Sequence, residues 1–422
     1  MQQEYPKRAQ RIMRRIQELA AISEDADGVT RTFGTRAFLA GRALVQGWFE
    51  AAGLPTRIDG IGNLRARILS QNPEAKTFVL ASHIDTVVNA GKFDGPLGVL
   101  MGLDLLEHLL EQRVELPFHI ELIAFSDEEG VRFHTTYLGS KVVSGTFDPT
   151  LLARPDESGI TLAQALEIMG ANPAQIPADA IPAADWLGYF ELHIEQGPVL
   201  WDRQIPVALV TAIAGQLRVE LIFKGMAGHA GTVPMAVRQD ALCAAAEFIT
   251  IVEQFALNHG QGLVATVGKL ALSHAASNVI PGEATLSLDL RSPDAAQLAA
   301  AYANLKTYTE AIASQRNVEL TWNLIQQTAP VVCDAGLNQL LSQAIAEAGH
   351  EVVALVSGAG HDVVPISAVA PATMLFIRCF KGISHNPLED VELADLIAAI
   401  EVADRFINII ARTKDEAMTA TP

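Results

Sequence analysis

Cysteine is scarce: the 422 residues hold three, Cys243, Cys333 and Cys379, far apart and without C-x-x-C spacing. That excludes a disulfide framework and a thiolate zinc site, and a reducing, cytoplasmic setting is expected. Positive charge is short as well, 30 Lys and Arg against 48 Asp and Glu, a formal net charge of −18. Such a chain repels phosphate backbones and anionic lipid, and no concentrated basic patch offsets this, so neither nucleic acid nor a membrane surface is an expected partner. No apolar run approaches the ~20 residues of a membrane span. The N-terminal MQQEYPKRAQRIMRRIQELAAIS spaces Ile12, Ile16, Leu19 and Ile22 helically among charges, unlike the unbroken apolar stretch of a signal peptide. Internal repeats and low-complexity tracts are absent too. What remains is half apolar and 18% charged, a globular chain. At roughly 150 residues per domain its length suits two domains.

Those domains differ in pattern. TFVLASHID reads as a strand and GPLGVLMGLDLLEHLL as the helix after it; FHIELIAFSDEEG and, past a Pro-rich excursion from about 145 to 184, WLGYFELHIEQG repeat the strand pattern. Alternating apolar strands and helices predict an α/β domain with a mostly parallel sheet covered on both faces. From 213 to 327 the order changes. RVELIFKG, a helix over 236–255, LVATVGKLAL, EATLSLDLRS, a helix over 294–315 and NVELTWNLI give β-α-β-β-α-β, the pattern of a ferredoxin-like α+β domain. The first style resumes with a helix near 337–348, EVVALV, SGAGHD, ATMLFI and a closing helix from about 393 to 410. The catalytic domain is therefore expected to be discontinuous, 1–212 and 328–422, with 213–327 inserted and a natural hinge at its two connections.

In open α/β sheets ligands sit beyond the carboxyl ends of the strands, and the polar clusters lie there. His83 and Asp85 end one strand on a shared face, and Asp94 returns in the loop GKFDGPLGV, whose glycines permit tight folding. Glu128 and Glu129 end the next strand, His193 a third, and His385 follows the last in KGISHNPLED. A lone histidine among eleven is more often structural, and a DEE triplet is usually a solvated turn. The coincidence of four segments at one sheet edge is what points to a metal, and three His with several carboxylates suit zinc or manganese rather than calcium or magnesium. Neighbouring carboxylates in a cleft need a cation or a proton between them.

ASHIDTV with GKFDGPLGV, FSDEEGVRF, ELHIEQGPVL, GHAGTVPM, SGAGHD and ISHNP, in this order over nearly the whole chain, resemble the hydantoinase/carbamoylase branch of the dinuclear-zinc aminoacylase and carboxypeptidase superfamily. The resemblance implies a zinc-peptidase-like α/β/α catalytic domain with an inserted lid and dimerisation domain. It implies two divalent ions per subunit, Zn2+ or Mn2+, held by His83, Asp94, Glu129, His193 and His385, with Asp94 bridging. Asp85 would orient His83 and Glu128 would be the general base. His229, Arg218, Asn278 and Arg291 of the inserted domain match the family's substrate-binding His, Arg, Asn and Arg, and the domain is expected to form a homodimer, sometimes lending residues across it. Gln196 is a further candidate contact for a ureido group. His361 and Asp362 are expected near the pocket or in a structural turn.

The chemistry agrees. Two ions sharing a carboxylate acidify a water, Glu128 moves its proton to a leaving nitrogen, and arginines suit a substrate carboxylate. Hydrolysis of an amide-like C–N bond in a ureide or N-carbamoyl amino acid is expected. Many members of the branch have Asn before the motif histidine where this chain has Gly228, and GHAGTVPM resembles the allantoate and related ureide amidohydrolases more, so the resemblance favours allantoate over N-carbamoyl-L-amino acids and N-carbamoyl-β-alanine. An aminoacylase or dipeptidase, and an inactive metal-binding scaffold, are the remaining alternatives; a scaffold has no use for Glu128 beside Glu129.

Overall fold

A computed structural model describes residues 4–260 and 262–419, side chains through 414. The chain divides into two compact units: Met1–Thr211 with Cys333–Leu355 and Gly360–Pro422, and Ala212–Val332 with Val356–Ala359. The second unit is thus a few residues wider than 213–327 and takes in the turn Val356–Ala359. Hydrogen bonds explain that addition: Ala214 N donates to Ser357 O at 2.8 Å, and Arg291 Nη1 donates to Gly358 O at 2.6 Å.

In the first unit, the strands Thr77–His83 and His119–Phe125 are buried along their whole length, as continuous apolar runs require in a sheet covered on both faces. The sheet order is Thr56–Ile58, Leu64–Ile68, His119–Phe125, Thr77–His83, Trp186–Ile194, Ala372–Ile377, Val207–Ile213, Val331–Val332, with Ala354–Ser357 also paired to Val207–Ile213. Its four central strands run parallel and its flanks antiparallel, so the sheet is mixed, and two short strands on one flank, Thr56–Ile58 and Leu64–Ile68, escaped the apolar-run criterion. Register places His83 opposite Phe125 and His193 opposite Phe376, which lines the polar clusters along one edge. The Pro-rich excursion forms short helices, Pro149–Ala153, Leu162–Ile168, Pro173–Ala178 and Ala183–Asp185.

Helix Tyr5–Ala20 buries Ile12, Ile16 and Leu19, and on the same face Arg8. Arg8 Nε donates to Asp104 Oδ2 (2.7 Å) of helix Pro96–Glu111, and its Nη2 to Asp404 Oδ1 (2.9 Å) of helix Leu393–Thr419. A buried guanidinium between two carboxylates thereby joins three helices.

The second unit is a four-stranded antiparallel sheet ordered Glu319–Thr328, Gly215–Lys224, Glu283–Ser292, Val264–Leu272, the ferredoxin-like arrangement. Alternation in Gly215–Lys224 sends Leu217, Val219, Leu221 and Phe223 into the core and leaves Arg218 and Glu220 on the open face. Asp240 and Asp294 cap helices Ala241–His259 and Ala295–Arg316, each accepting backbone N–H bonds of its first turn. Helix Ala241–His259 has the length and composition to cross a membrane, but Glu247 and Glu253 interrupt its apolar run, and Ala244, Ala245, Phe248, Val252 and Phe255 form a stripe buried in this unit's core.

Candidate metal centre

Asp94 is the hub of the first unit's cluster. Its Oδ1 lies 3.1 Å from His193 Nε2 and 3.9 Å from His83 Nε2; its Oδ2 lies 2.9 Å from His385 Nε2. Glu129 Oε1 is 3.7 Å from the same His385 nitrogen. Two sets of three donors result, His83–Asp94–His193 and Asp94–Glu129–His385, with the donor atoms of each set within 4.8 Å of one another and Asp94 common to both. Glu128 lies within reach of His83 and Glu129 in a third such set.

The polypeptide brings these side chains together by tight turns. Asp94 precedes Gly95, whose φ of +83° and missing Cβ are both required, because a Cβ there would stand 2.4 Å from the His83 ring. Asp127 (φ 55°), Tyr137 (65°), Gln196 (57°) and His385 (53°) all take left-handed backbone without being glycine, a strain that persists where surrounding structure enforces it.

Asp85 adjoins both His83 and the glutamate pair. His83 Nδ1 meets the backbone carbonyl of Asp85 at 3.0 Å, while the nearer carboxylate oxygen is 3.7 Å away. The carboxylate accepts the backbone N–H groups of Glu128 (3.1 Å) and Glu129 (3.2 Å), so Asp85 meets the imidazole through its main chain and the two glutamates through its side chain. Arg31, fully buried, donates to the carbonyls of Ile84 and Leu19 and faces Asp85; burial pushes its guanidinium down to about 10, with Asp85 opposing.

The electrostatics are those of an uncompensated anionic pocket. Burial first, then Glu129, Asp362 and Asp85, hold Glu128 well above the usual carboxylate range. Burial and Asp94 push Glu129 up to about 8. Burial lowers the His193 imidazolium, but Asp94 more than offsets it, leaving it at about 9, and Asp94 also lifts His385 to about 9. Both oxygens of Asp127 and the Nε2 of His193 are buried without a hydrogen-bond partner, the latter aimed at Asp94 outside hydrogen-bonding alignment. Buried charges of this kind are paired or coordinate metal. The donor set, three imidazoles and at least two carboxylates with one shared, fits a pair of divalent cations.

Gln196 sits within this cluster, its Nε2 donating to Asp94 Oδ2 at 2.9 Å. His361 stacks edge-on against His193 with ring centroids 4.5 Å apart, and Asp362 accepts from Ser140 Oγ. Three neighbours escaped the sequence: Glu191 accepts from Tyr189 and from Val363 N, Ser384 reaches Asp94 Oδ2 at 3.2 Å, and Glu389 lies beneath the loop of Asp94. Only their motif neighbourhood, ELHIEQ and SHNPLED, could have drawn attention to them.

In the second unit, Arg218 and Arg291 stand on neighbouring strands of the open face, in a groove of about 860 Å³. Asp289 lies between them: it accepts from Arg291 Nε (2.8 Å) and Nη2 (3.0 Å) and from Arg218 Nε (3.2 Å). Asp289 was not singled out from the sequence, since its pairing depends on the register Asp289↔Arg218. His229 is exposed; its Nδ1 accepts from Gly231 N at 3.0 Å, which puts the proton of the neutral ring on Nε2. Asn278 is exposed and adjoins His229 through the short strand pair Gly228–His229 and Val279–Ile280, with Ala230 N donating to its carbonyl.

Residues 79–409 match the model of peptidase family M20/M25/M40. The chain belongs to that family. An N-carbamoyl-L-amino acid amidohydrolase of Geobacillus stearothermophilus is 38% identical over 93% of this chain and 96% of its own length. An allantoate deiminase of Arabidopsis thaliana is also 38% identical, over 91% of this chain and 79% of its own. A crystal structure of a hydantoinase/carbamoylase family amidase from Burkholderia multivorans superposes with a TM-score of 0.90 at 33% identity, covering 96% of this chain and 98% of that one. This M20 chain is thus an amidohydrolase of the hydantoinase/carbamoylase kind, an enzyme acting on carbon–nitrogen bonds of non-peptide amides, and its fold is the α/β fold of those amidases. The family is typically metal-dependent, in keeping with the buried His/Asp cluster.

Proposed function

We propose that the chain is a dinuclear-metal amidohydrolase that cleaves the ureido C–N bond of allantoate, releasing ammonia and carbon dioxide. One observation carries the dinuclear reading: two donor sets share Asp94, and Glu128 stands beside them on the same turn as Glu129. His83, Asp94, Glu129, His193 and His385 would hold two ions, Zn2+ or Mn2+. When bound, such a pair supplies Lewis acidity to a carbonyl oxygen and to water. Glu128, fixed through its N–H by Asp85, would be a carboxylate once cation charge offsets the neighbouring anions that raise it, and would then accept the proton of the attacking water and return it to the leaving nitrogen. The Nε2–H of His229 is equipped to donate to the developing oxyanion, and Arg218, Arg291, Asn278 and Gln196 to bind the carboxylate and ureido groups of the substrate. Asp289 leaves its two arginines with one net positive charge between three groups, which suits a monoanionic substrate.

Allantoate is favoured by Gly228 in GHAGTVPM and by likeness to the allantoate deiminase. N-Carbamoyl-L-amino acids are the second reading, favoured by equal identity to the carbamoyl-amino-acid enzyme. The enzyme would work in the reducing cytoplasm, where its three free cysteines persist. The test is ammonia release by metal-stripped protein resupplied with Zn2+ or Mn2+, against allantoate, N-carbamoyl-β-alanine, N-carbamoyl-L-amino acids and a dipeptide. Metal-dependent turnover of allantoate above the rest is expected. Faster turnover of a carbamoyl amino acid would transfer the assignment to the second reading, and an amino acid released without ammonia would refute both.

A further inference from the structure

Two of the loops that bring ligands to the cluster are far apart in sequence, and one buried carboxylate touches both. Glu389 is 1% exposed. Its Oε1 accepts the backbone N–H groups of Phe93 (2.7 Å) and of Asp94 (3.0 Å), and its Oε2 lies 3.1 Å from Ser384 Oγ, the residue before His385. Ser384 Oγ is also 3.2 Å from Asp94 Oδ2 and has one proton to give, so it bonds Glu389 or Asp94 at any moment and stays between them. The loop of Asp94 approaches this closely because residue 91 is glycine: a Cβ there would stand 2.3 Å from the Glu389 Cβ and 2.4 Å from its carboxyl carbon. Glu389 is itself held by a turn, its N–H donating to Asn386 O at 3.0 Å.

The geometry points to Glu389 as a positioning residue of the metal centre, which fastens the main chain of Asp94 to the loop of His385 so that the set Asp94–Glu129–His385 is formed before a metal arrives. This rests on the dinuclear reading proposed above. Glu389 supplies no donor atom to the cluster. It acts through the backbone of one ligand and the neighbour of another, as outer-shell partners of metal sites do, whose loss weakens metal binding on the order of 10–100-fold.

The full chain is compared, metal-stripped, with Glu389→Ala, Glu389→Gln and Gly91→Ala. The last keeps the carboxylate but drives it from its place, and serves if the alanine variant does not fold. Titration calorimetry with Mn2+ or Zn2+ reads affinity, and amide hydrogen exchange reads the Phe93 and Asp94 N–H groups. Glu389→Ala and Gly91→Ala should lose about 10–100-fold in affinity for one of two metals and expose both amides. Glu389→Gln, whose amide oxygen still accepts and whose amide nitrogen can donate to Ser384 Oγ, should retain both properties. Activity of the alanine variant should recover as metal is raised, with KM for the organic substrate unmoved. An alanine variant that binds metal as tightly as wild type, or a glutamine variant as weak as alanine, overturns the assignment. Wild-type protein that takes up neither metal overturns the dinuclear reading first and this one with it.

Discussion

Glu128 and Glu129 are chemically identical neighbours to which the proposal gives different tasks. Both can join His83 in one donor set, but only Glu129 also joins Asp94 and His385, whereas Glu128 faces Asp362 and Asp85 in a buried, anionic setting. Replacing Glu128 by Gln should leave metal uptake intact and cut kcat by on the order of 10²–10⁴-fold, the worth of a positioned general base; metal analysis and steady-state rates check both, and a variant that keeps most of its rate refutes the assignment. Away from the site, Asp59 holds its own loop, accepting from Ile61 N, Asn63 N and the Asn63 amide. Burial pushes its carboxyl up to about 6 even though Arg65 opposes this. A folded-state value above the unfolded one, about 4, means the native state binds the proton more tightly. The contribution is therefore complete below about pH 4 and is lost as pH rises through about 6, some 3 kcal/mol. The difference in urea stability between metal-free wild type and Asp59→Asn should shrink in wild type's disfavour over that window; a pH-independent difference would show that Asp59 titrates normally.

Helix Tyr5–Ala20 was legible from the helical spacing of Ile12, Ile16 and Leu19 among charges, a pattern that does not say which of those charges is buried. Arg8 is buried instead, since the carboxylates that neutralise it come from helices 96 and 396 residues away in sequence separation. Truncating one partner of such a network leaves charges buried and unpaired, so Arg8→Met should cost about 3 kcal/mol, read as a lower urea midpoint at unchanged slope. An unchanged midpoint would mean that Arg11, which also reaches Asp104 at 2.7 Å, suffices. The strands that positioned the metal centre were legible because both faces of the sheet are covered, giving unbroken apolar runs. Leu64–Ile68, with Arg65 and Arg67, and Thr56–Ile58 were not, because at the sheet's edge polar residues interrupt the run.

At the scale of the molecule, the inserted unit presents two edge strands, Glu319–Thr328 with Leu324 and Ile325 exposed and Val264–Leu272 with Val264 and Leu270 exposed. Unpaired edges carrying apolar side chains are normally covered by another chain. A homodimer through this unit is therefore expected, and light scattering at micromolar concentration should return twice the mass of one chain; a monomer would count against it.

Apolar periodicity and motif order, both local properties of the chain, were enough to set out the two kinds of domain, their discontinuity and the residue types of a candidate metal site at one sheet edge. Contacts between distant segments were decided only by the tertiary structure. Asp94 lies between two donor sets because three strand ends and a loop 290 residues on converge there, Asp85 spans the Glu128 and Glu129 amides, and Glu389 sits under Asp94. Asp289 reaches Arg218 only through strand register. A carboxylate's own sequence neighbourhood cannot report which amide or guanidinium will face it, because that choice is made by burial: desolvation leaves each buried charge needing a partner, and the fold alone determines which partners are within reach.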